Sequence, residues 1–457
     1  MNNSATIGLE GPDAMPAAPS GNAKLALVSL SLSMLIAAVG TGIVNVALPT
    51  LTEAFGATFD TAQWIVLAYL LSMTAFMAGV GRLGDMMDRR RLLMGGILLY
   101  MLASALCAAA PSTHWLLAAR VAQGVGAAVM MAMTMALVGA AVPKERAGAA
   151  MGLLATMSAA GTTLGPTLGG FMVSAFGWPS IFLVNLPLGV AALALIARSV
   201  PAEAPASRFD PRQFDTVGTL LLAAVLAAYA LAMTGAGGSA LVNAGLVGAA
   251  VAGGLVFVRF ERKTAHPLIR PGLFRNPVLS AGLVMNCLVS AIMMASLVVG
   301  PFYLAHGLGL DTASVGLVMS AGPLMVALAG VPAGRAADRF GVRRSQIGGL
   351  TLMTAGALAL ATAPASLGVP GYIGPLMAVT LGYAFFHTAN NTMVMQEAAA
   401  DQRGMTSALL NLSRSLGFIT GAAVLGSVFA AGGLQTTFLV ATLFAALAAL
   451  IAVRKPA

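Results

Sequence analysis

The sequence predicts an all-α integral membrane protein with fourteen transmembrane helices, arranged as two six-helix bundles plus two inserted helices. Three observations predict this fold. Only 9% of the 457 residues are charged and 58% are hydrophobic, whereas soluble domains carry about 25% charged residues. Apolar runs long enough to cross a bilayer recur along the chain. A charged motif occurs once in each half, as GRLGDMMDRRR at 81–91 and GRAADRFGVRR at 334–344, at an offset of 253 residues (338 − 85).

The apolar runs define the spans and the domain boundaries. A span needs about 20 apolar residues. The candidate spans lie near 25–48, 62–81, 92–110, 115–140, 148–174, 180–198, 217–235, 240–258, 279–304, 312–333, 346–363, 371–395, 405–430 and 434–453. We expect a disordered cytoplasmic tail at 1–24, an N-terminal six-helix bundle at 25–198, a linker with two extra spans at 199–278, and a C-terminal six-helix bundle at 279–457.

The Lys and Arg residues predict the orientation of these spans. If the N-terminal tail is cytoplasmic, the odd-numbered loops are external, and none of them contains a Lys or Arg. Of the 24 Lys and Arg residues, 22 fall in the tails, in the other loops or at the span ends that border them, and only Arg120 and Arg414 fall inside a span. The positive-inside rule therefore predicts that both termini are cytoplasmic. Such a chain belongs in the plasma membrane, which is the inner membrane in a bacterium.

Residues 216–258 predict the inserted pair of helices. They contain no Asp, Glu, Lys or Arg, and a glycine-rich turn at 235–238 divides them. The offset between the two charged motifs is too long for six spans and fits eight. An even number of extra spans also keeps both motifs on the cytoplasmic side. We expect this pair to lie at the periphery of the two bundles.

Composition and motifs argue against other classes of protein. The net charge of +9 could indicate a nucleic-acid partner, but the basic residues lie in short loops between spans, where they set topology. The sequence contains no HExxH motif, no Cys/His metal cluster and no paired carboxylates within a span, so we expect neither an enzyme nor a bound cofactor. It also contains no soluble signalling domain. Cys107 and Cys287 both lie in apolar runs and are predicted to be free, buried thiols.

The repeated motif provides candidate gating residues at the cytoplasmic surface. Asp85 and Asp338 lie where a span meets water. A carboxylate there can face the positive end of a neighbouring helix or pair with a nearby arginine, and so hold one conformation. The alternative is that these charges only set topology. The candidate residues are Gly81, Arg82, Asp85, Arg89 and Arg90 in the first copy, and Gly334, Arg335, Asp338, Arg339 and Arg343 in the second.

Polar residues inside the spans are candidates for coupling or for a substrate cavity. Arg120 lies within an apolar run, where a charge costs about 2.5–3.5 kcal/mol, and Gln123 is one turn away. The alternative for Arg120 is snorkelling to the interface. The remaining candidates are Asn45, His387, Asn390, Asn391, Asn411 and Arg414. The i, i+3, i+4 spacing of His387, Asn390 and Asn391 places them on one helical face. Buried amides also serve as structural bonds between helices.

The fifth span carries a glycine pattern of its own. Gly161, Gly165 and Gly169 recur every four residues and share one helical face, next to Pro166 and Gly170. Glycines let another helix approach closely, and proline interrupts the hydrogen-bond ladder. The pattern predicts either tight helix packing or a sealed, bendable interface.

Taken in order, these segments resemble the major facilitator superfamily, specifically its fourteen-helix drug/proton antiporter branch. The resemblance covers about residues 25–453. Both charged loop motifs resemble that superfamily's loop motif. LLAARVAQGVGAA (116–128) resembles its fourth-helix motif, and GTTLGPTLGG (161–170) resembles the fifth-helix antiporter motif. IVNVALP (43–49) and ANNTMVMQEAAADQRGMTSALLNLSRSLG (389–417) resemble further segments typical of the branch.

The resemblance implies a transporter that works as a monomer in the lipid bilayer. It implies export of small hydrophobic compounds or drugs by alternating access, in exchange for protons. The alternative is a proton-independent facilitator or a specific metabolite exporter of the same fold. One departure concerns the coupling: the branch usually has an Asp five residues before Asn45, and this sequence has Gly40. The first loop motif also departs, with Met86 and Asp88 where a basic residue and a glycine are usual.

Overall fold

A computed structural model of the protein describes residues 21–141, 147–200, 215–234, 238–264, 271–397 and 403–454. Within these ranges every regular element is helical. In the described part of the chain, ten helices are long and apolar enough to cross a membrane. The helical architecture follows from the composition, because a helix satisfies all of its backbone hydrogen bonds within one segment and so can lie in lipid.

The N-terminal half forms one set of packed helices. Its α-helices are α1 (Gly21–Phe55), α2 (Phe59–Met86), α3 (Arg89–Ala108), α4 (Thr113–Ala141), α5 (Ala147–Phe176), α6 (Ser180–Leu183) and α7 (Asn185–Ser199). The helix α1 packs along α5, and both α2 and α3 pack on α4. The short α6 and the longer α7 together cover the single span predicted at 180–198.

The C-terminal half begins after a 3₁₀ turn at Pro271–Arg275. Its α-helices, numbered after the inserted pair, are α10 (Pro277–Phe302), α11 (Thr312–Met319), α12 (Ala321–Phe340), α13 (Val342–Gln396), α14 (Arg403–Thr420) and α15 (Gly426–Arg454). A π-helical turn at Tyr303–Gly307 extends α10, and another at Gly421–Leu425 joins α14 to α15. The main partner of α10 is α14, and α12 packs on α13.

Two long helical elements contain glycines that leave the helical conformation. Gly368 in α13 has φ 58° and ψ −132°, and Gly433 in α15 has φ 70° and ψ −168°. A positive φ of this kind is accessible to glycine at little cost. Both residues fall in loops that the sequence places between spans, at 364–370 and 431–433. Each glycine therefore divides one long element into two helical segments.

The inserted pair consists of α8 (Thr216–Met233) and α9 (Ala240–Glu261), and the two helices differ in their contacts with the bundles. The apolar side chains of α9 are mostly exposed. In contrast, α8 touches both halves of the molecule: Leu222 and Leu226 pack with Leu71 of α2 and Leu416 of α14. The Tyr229 hydroxyl also donates a hydrogen bond of 3.0 Å to Thr420. The expected peripheral position of this pair stays a prediction for α8, whose small and aliphatic side chains fit the seam between α2 and α14.

The two halves are joined at the end of the molecule where α1 ends and α2 begins. There Thr50 Oγ1 lies 3.5 Å from Thr312 Oγ1, and Gln63 Nε2 donates a hydrogen bond of 3.1 Å to the Ala422 carbonyl. Both hydrogen bonds join the two halves at this end. The structure is therefore sealed at the α1–α2 end.

Aromatic rings and glycines complete this seal. Phe59 of α2 packs edge-on against Phe302 of α10, with ring centroids 4.7 Å apart, and against Phe429 of α15 at 5.3 Å. Gly170 of α5 and Gly316 of α11 meet so closely that a Cβ on Gly170 would lie 2.7 Å from the Gly316 Cα. A side chain at either glycine would hold the two halves apart.

Candidate functional site

Acidic residues are confined to the helix ends. Each Asp or Glu of the described chain lies within two residues of a helix end or caps a helix. Three of them act as N-caps through side-chain bonds to backbone N–H groups: Asp88 at α3, Asp215 at α8 and Asp311 at α11. At Asp311, hydrogen bonding from Ser314 lowers the pKa of the carboxyl. No described carboxylate therefore lies in the middle of a span.

Arg120 is buried in the N-terminal half without an acidic partner among the described residues. Its side chain is 0% exposed, which excludes snorkelling in this conformation. Nε donates a hydrogen bond of 2.9 Å to the Ile65 carbonyl on α2, and Nη1 donates one of 2.6 Å to Gln123 Oε1. The guanidinium carbon lies 4.2 Å from the centroid of the Tyr69 ring. The buried Nη2 has no hydrogen-bond partner among the described residues.

A chain of polar side chains extends from Arg120 through the interior of this half. Gln123 Nε2 donates a hydrogen bond of 2.7 Å to Ser104 Oγ on α3. Asn185 Nδ2 on α7 donates to the same oxygen at 3.4 Å. The free thiol of Cys107 lies 3.9 Å from Gln123 Oε1. This network holds the α4 arginine in a fixed position relative to α2, α3 and α7.

Two tyrosines occupy the space next to Gly40. The Tyr69 hydroxyl donates a hydrogen bond of 2.8 Å to the Ala37 carbonyl, and the Tyr100 hydroxyl donates one of 3.4 Å to the Ile36 carbonyl. A Cβ at Gly40 would overlap the Tyr100 hydroxyl. The resemblance leads one to expect an acid at position 40. In this protein, phenol groups from α2 and α3 occupy the space next to Gly40.

Asn45 is fully buried one turn beyond this cluster. Its Nδ2 donates a hydrogen bond of 3.0 Å to the Thr41 carbonyl of the same helix. Its Oδ1 has no partner among the described residues. Asn45 is thus a buried polar group with one unused acceptor.

The C-terminal half contains a second basic cluster. Asn391 Nδ2 lies 3.3 Å from the His387 ring nitrogens, and the Tyr383 ring centroid is 5.2 Å from that of His387. Arg414 of α14 interacts electrostatically with both His387 and Tyr383. Asn411 lies half-buried one turn before Arg414. This cluster therefore brings together residues of α13 and α14.

Asn390 does not join this cluster, although its spacing predicts a face shared with His387 and Asn391. Its Oδ1 accepts a hydrogen bond of 3.0 Å from Gln346 Nε2, and its Nδ2 donates one of 3.3 Å to the Gly282 carbonyl of α10. Adjacent helical positions point about 100° apart, so Asn390 and Asn391 serve different neighbours. Asn390 therefore links α10 to α13 through its side-chain hydrogen bonds.

The glycines of α5 lie against α1, and the last one reaches the other half. Added Cβ atoms at Gly161, Gly165 and Gly169 would fall within 2.7 Å of α1 atoms, so the backbones of the two helices are in close contact. The helix continues through the buried Pro166. Gly170, the residue after Gly169, forms the contact with Gly316 described above. The α5 motif thus packs within its own half and also contributes to the seal between the halves.

The two loop motifs differ in backbone structure as well as in sequence. In the first copy, Asp88 (φ −59°) caps α3, Arg89 Nε donates a hydrogen bond of 3.2 Å to the Gly84 carbonyl, and Arg90 Nη2 donates one of 2.6 Å to the Ala197 carbonyl. The side chains of Arg82 and Asp85, and the surroundings of Gly81, lie outside the described part.

In the second copy, Gly341 replaces the capping acid and has φ 88°. Arg335, Asp338 and Arg339 are exposed, and Gly334 is half-buried. Arg343 Nη2 donates a hydrogen bond of 2.9 Å to the Val453 carbonyl. Among the described residues no ion pair joins Asp338 to an arginine. The two loops are therefore built differently, and their gating role stays a prediction.

Comparison with known proteins places this fold in a family. The model of the Major Facilitator Superfamily matches residues 30–298 and 279–456. The chain is 32% identical over 411 residues to the multidrug resistance protein Stp of Mycobacterium tuberculosis, covering 89% of this chain and 76% of that protein. It is 30% identical to the multidrug efflux pump LfrA of Mycolicibacterium smegmatis, covering 93% and 84%.

A third relative has a different stated substrate. The chain is 29% identical over 406 residues to the riboflavin transporter RibZ of Clostridioides difficile, covering 89% of this chain and 88% of that protein. The relatives thus include a multidrug resistance protein, a multidrug efflux pump and a riboflavin transporter. The family model covers nearly the whole chain, and this multi-pass membrane protein belongs to the major facilitator superfamily of transporters.

Proposed function

We propose that this transporter exports small hydrophobic compounds by alternating access between an N-terminal bundle (25–198) and a C-terminal bundle (279–457). Gly368 and Gly433 divide α13 and α15. Three pairs of segments each count as one span: α6 with α7, α11 with α12, and α14 with the first segment of α15. This count supports the predicted fourteen-helix arrangement. With both termini cytoplasmic, the sealed α1–α2 end faces outward. The described conformation is then the inward-facing state, and opening at Thr50, Gly170 and their partners releases the substrate.

The charged loops would act on the opposite, cytoplasmic side. In the inward-facing state the second loop would be disengaged, which is supported by the exposed Asp338 and by the absence of an ion pair on it among the described residues. Asp85 and Asp338 would engage when the cytoplasmic side closes. Because Asp88 caps a helix and its counterpart Gly341 has a positive φ, we propose that the two loops contribute unequally to this closure.

The substrate class that fits best is neutral or anionic. The main support for this substrate class is that Arg120 and Arg414 lie in polar clusters without a described carboxylate nearby. Like charges brought together in a site of low dielectric repel strongly. A cationic compound would therefore meet unfavourable charge in either cluster, whereas an anionic or neutral one would not.

Proton antiport, which the resemblance to the antiporter branch implies, needs a proton carrier other than a mid-span carboxylate. We propose His387 for this role, because an imidazole can bind and release a proton and this residue lies well inside α13. Its neighbours Tyr383, Asn391 and Arg414 belong to two helices. Since charge–charge energy changes with distance, a movement of Arg414 relative to His387 would change the proton affinity of the imidazole.

A second candidate is a specific metabolite exporter or a facilitator that does not use protons. Two observations favour it: the similarity to a riboflavin transporter and the absence of a described carboxylate within the spans. This candidate shares the fold and the alternating movement with the first. It differs in substrate range and in its independence of the proton gradient.

A susceptibility and accumulation panel in an efflux-deficient bacterial host separates these candidates. Cells would express the wild type, Arg120→Ala or the matched surface variant Arg262→Ala, at equal membrane levels. We expect the wild type and Arg262→Ala to lower accumulation of several neutral or anionic hydrophobic compounds, and Arg120→Ala to fail. Export of one metabolite only, unaffected by an uncoupler, would favour the second candidate. Strong export of organic cations alone would contradict the proposed substrate class.

A further inference from the structure

A groove lies on the surface of the C-terminal half, where α12 ends and α13 begins. It has a volume of about 410 Å³ and is lined by Phe340, Leu352, Leu381 and Phe385, with Arg344 and Ser345 at its polar end. This volume falls within the range of about 300–1,000 Å³ that is usual for sites of small ligands. The groove lies outside the polar clusters around Arg120 and His387.

The polar end of the groove has unused hydrogen-bonding capacity. Ser345 is 6% exposed, and its Oγ has no hydrogen-bond partner among the described residues. Arg344 is exposed at the mouth, and no described carboxylate lies within ion-pair distance of it. A buried hydroxyl without a partner costs free energy that a ligand oxygen would recover.

The surroundings of the mouth are positively charged. Arg335, Arg339 and Arg343 lie within the same short segment as Arg344, with Asp338 as the single acidic residue there. Basic pockets of this kind between transmembrane helices bind anionic lipid head groups. The local charge therefore favours a phosphate over a zwitterionic or cationic group.

The apolar part of the groove continues into a face that is exposed along the helix. Between residues 344 and 358 of α13, the exposed positions are Arg344, Gly348, Thr351, Ala355 and Leu358. Their spacing of four, three, four and three residues keeps them on one side of the helix. An exposed apolar face on a transmembrane helix faces lipid, so a ligand can enter the groove sideways from the bilayer.

We propose that this groove binds one anionic phospholipid, with an acyl chain on Leu352, Leu381 and Phe385 and the phosphate at Arg344 and Ser345. Arg344 donates charge-assisted hydrogen bonds to the phosphate oxygens, and the Ser345 hydroxyl donates a further one. The lipid holds the end of α12 against the start of α13. This places it beside the second loop motif, where it stabilises the segment from Asp338 to Arg343.

Lipid binding to the purified full-length protein tests this proposal. The probes are dioleoyl phosphatidylglycerol and dioleoyl phosphatidylcholine, titrated in detergent and counted by native mass spectrometry. Arg344→Gln removes the head-group contact, and Gly348→Leu fills the groove, since a Cβ at Gly348 meets nothing within 4 Å. The matched controls are Arg262→Gln and Gly245→Leu, at exposed positions of the inserted pair.

We expect one phosphatidylglycerol to bind more tightly than phosphatidylcholine. Arg344→Gln should weaken it about fivefold, as expected for one basic residue; Gly348→Leu should remove the tight site, and both controls should bind as the wild type does. Inorganic phosphate should not displace the lipid. Equal affinity for the two lipids, equal loss in the controls, or displacement by phosphate would overturn the proposal. If Arg344→Gln unfolds, as judged by thermal unfolding, Gly348→Leu alone decides.

Discussion

The Tyr100 hydroxyl occupies the position in which a side chain at Gly40 would begin, because a Cβ there would overlap it. Tyr69 contributes a second hydroxyl to the same space, 3.4 Å from that Cβ position. Related antiporters of the branch that this sequence resembles usually carry an acid at this point. In this protein the same space holds two phenol groups from neighbouring helices.

This relationship predicts that Gly40 and Tyr100 are energetically coupled. Gly40→Ala should lower the stability of the purified protein by about 1–3 kcal/mol, the usual cost of overpacking. In a Tyr100→Phe background the nearest ring atom lies 3.2 Å from the new Cβ, so the same change should cost less. Thermal unfolding of the wild type, both single variants and the double variant measures this coupling. Additive effects of the two substitutions would contradict it.

The hydrogen bonds of Arg120 predict that a positive charge at this position is not sufficient for transport. Arg120→Lys keeps the charge but cannot bond the Ile65 carbonyl and Gln123 in the same fork geometry. Loss of one charged hydrogen bond costs about 1.5–3 kcal/mol. We expect this loss to fall on the conformational step of transport, which would slow transport about tenfold or more. Initial efflux rates from proteoliposomes measure it, with Arg262→Lys as the control. Wild-type rates in Arg120→Lys would show that only the positive charge matters.

If His387 carries the proton, its substitution should abolish proton-driven efflux without abolishing substrate exchange. His387→Gln can still bond Asn391 but cannot take up a proton. Efflux driven by a proton gradient should be lost, while substrate exchange at equal pH on both sides should continue. His114→Gln, at an exposed position at the start of α4, should leave both processes unchanged. Gradient-driven efflux that survives in His387→Gln would exclude this residue as the proton carrier.

Much of the fold could be predicted from the sequence, because the bilayer imposes simple rules on length and polarity. The runs of apolar residues predict the helices, and the loop prolines and glycines near 368 and 433 predict where α13 and α15 break. The burial of Arg120 could be expected from its place in an apolar run. Family membership could also be predicted, because the local motifs occur in the same order as in the superfamily that the sequence resembles.

The interior contacts could not be predicted, because they depend on residues far apart in sequence. Nothing in the sequence around Gly40 shows that Tyr100, sixty residues later, fills its space. The shared spacing of Asn390 and Asn391 indicates one face, yet their partners are on different helices. The bridging position of α8 depends on shape complementarity to a seam formed by α2 and α14, which composition does not reveal.

The proposed movement of the two bundles is tested most directly by a disulfide across the sealed end. Thr50→Cys and Thr312→Cys would be combined in a transport-competent background without Cys107 and Cys287, because the two hydroxyls lie 3.5 Å apart. The matched control is Ser29→Cys with Ser199→Cys, whose hydroxyls lie 3.2 Å apart within the N-terminal half. We expect oxidation of the first pair to stop substrate efflux from proteoliposomes, a reductant to restore it, and the control pair to transport throughout. Undiminished efflux with the Thr50–Thr312 positions fully cross-linked would contradict alternating access through this end.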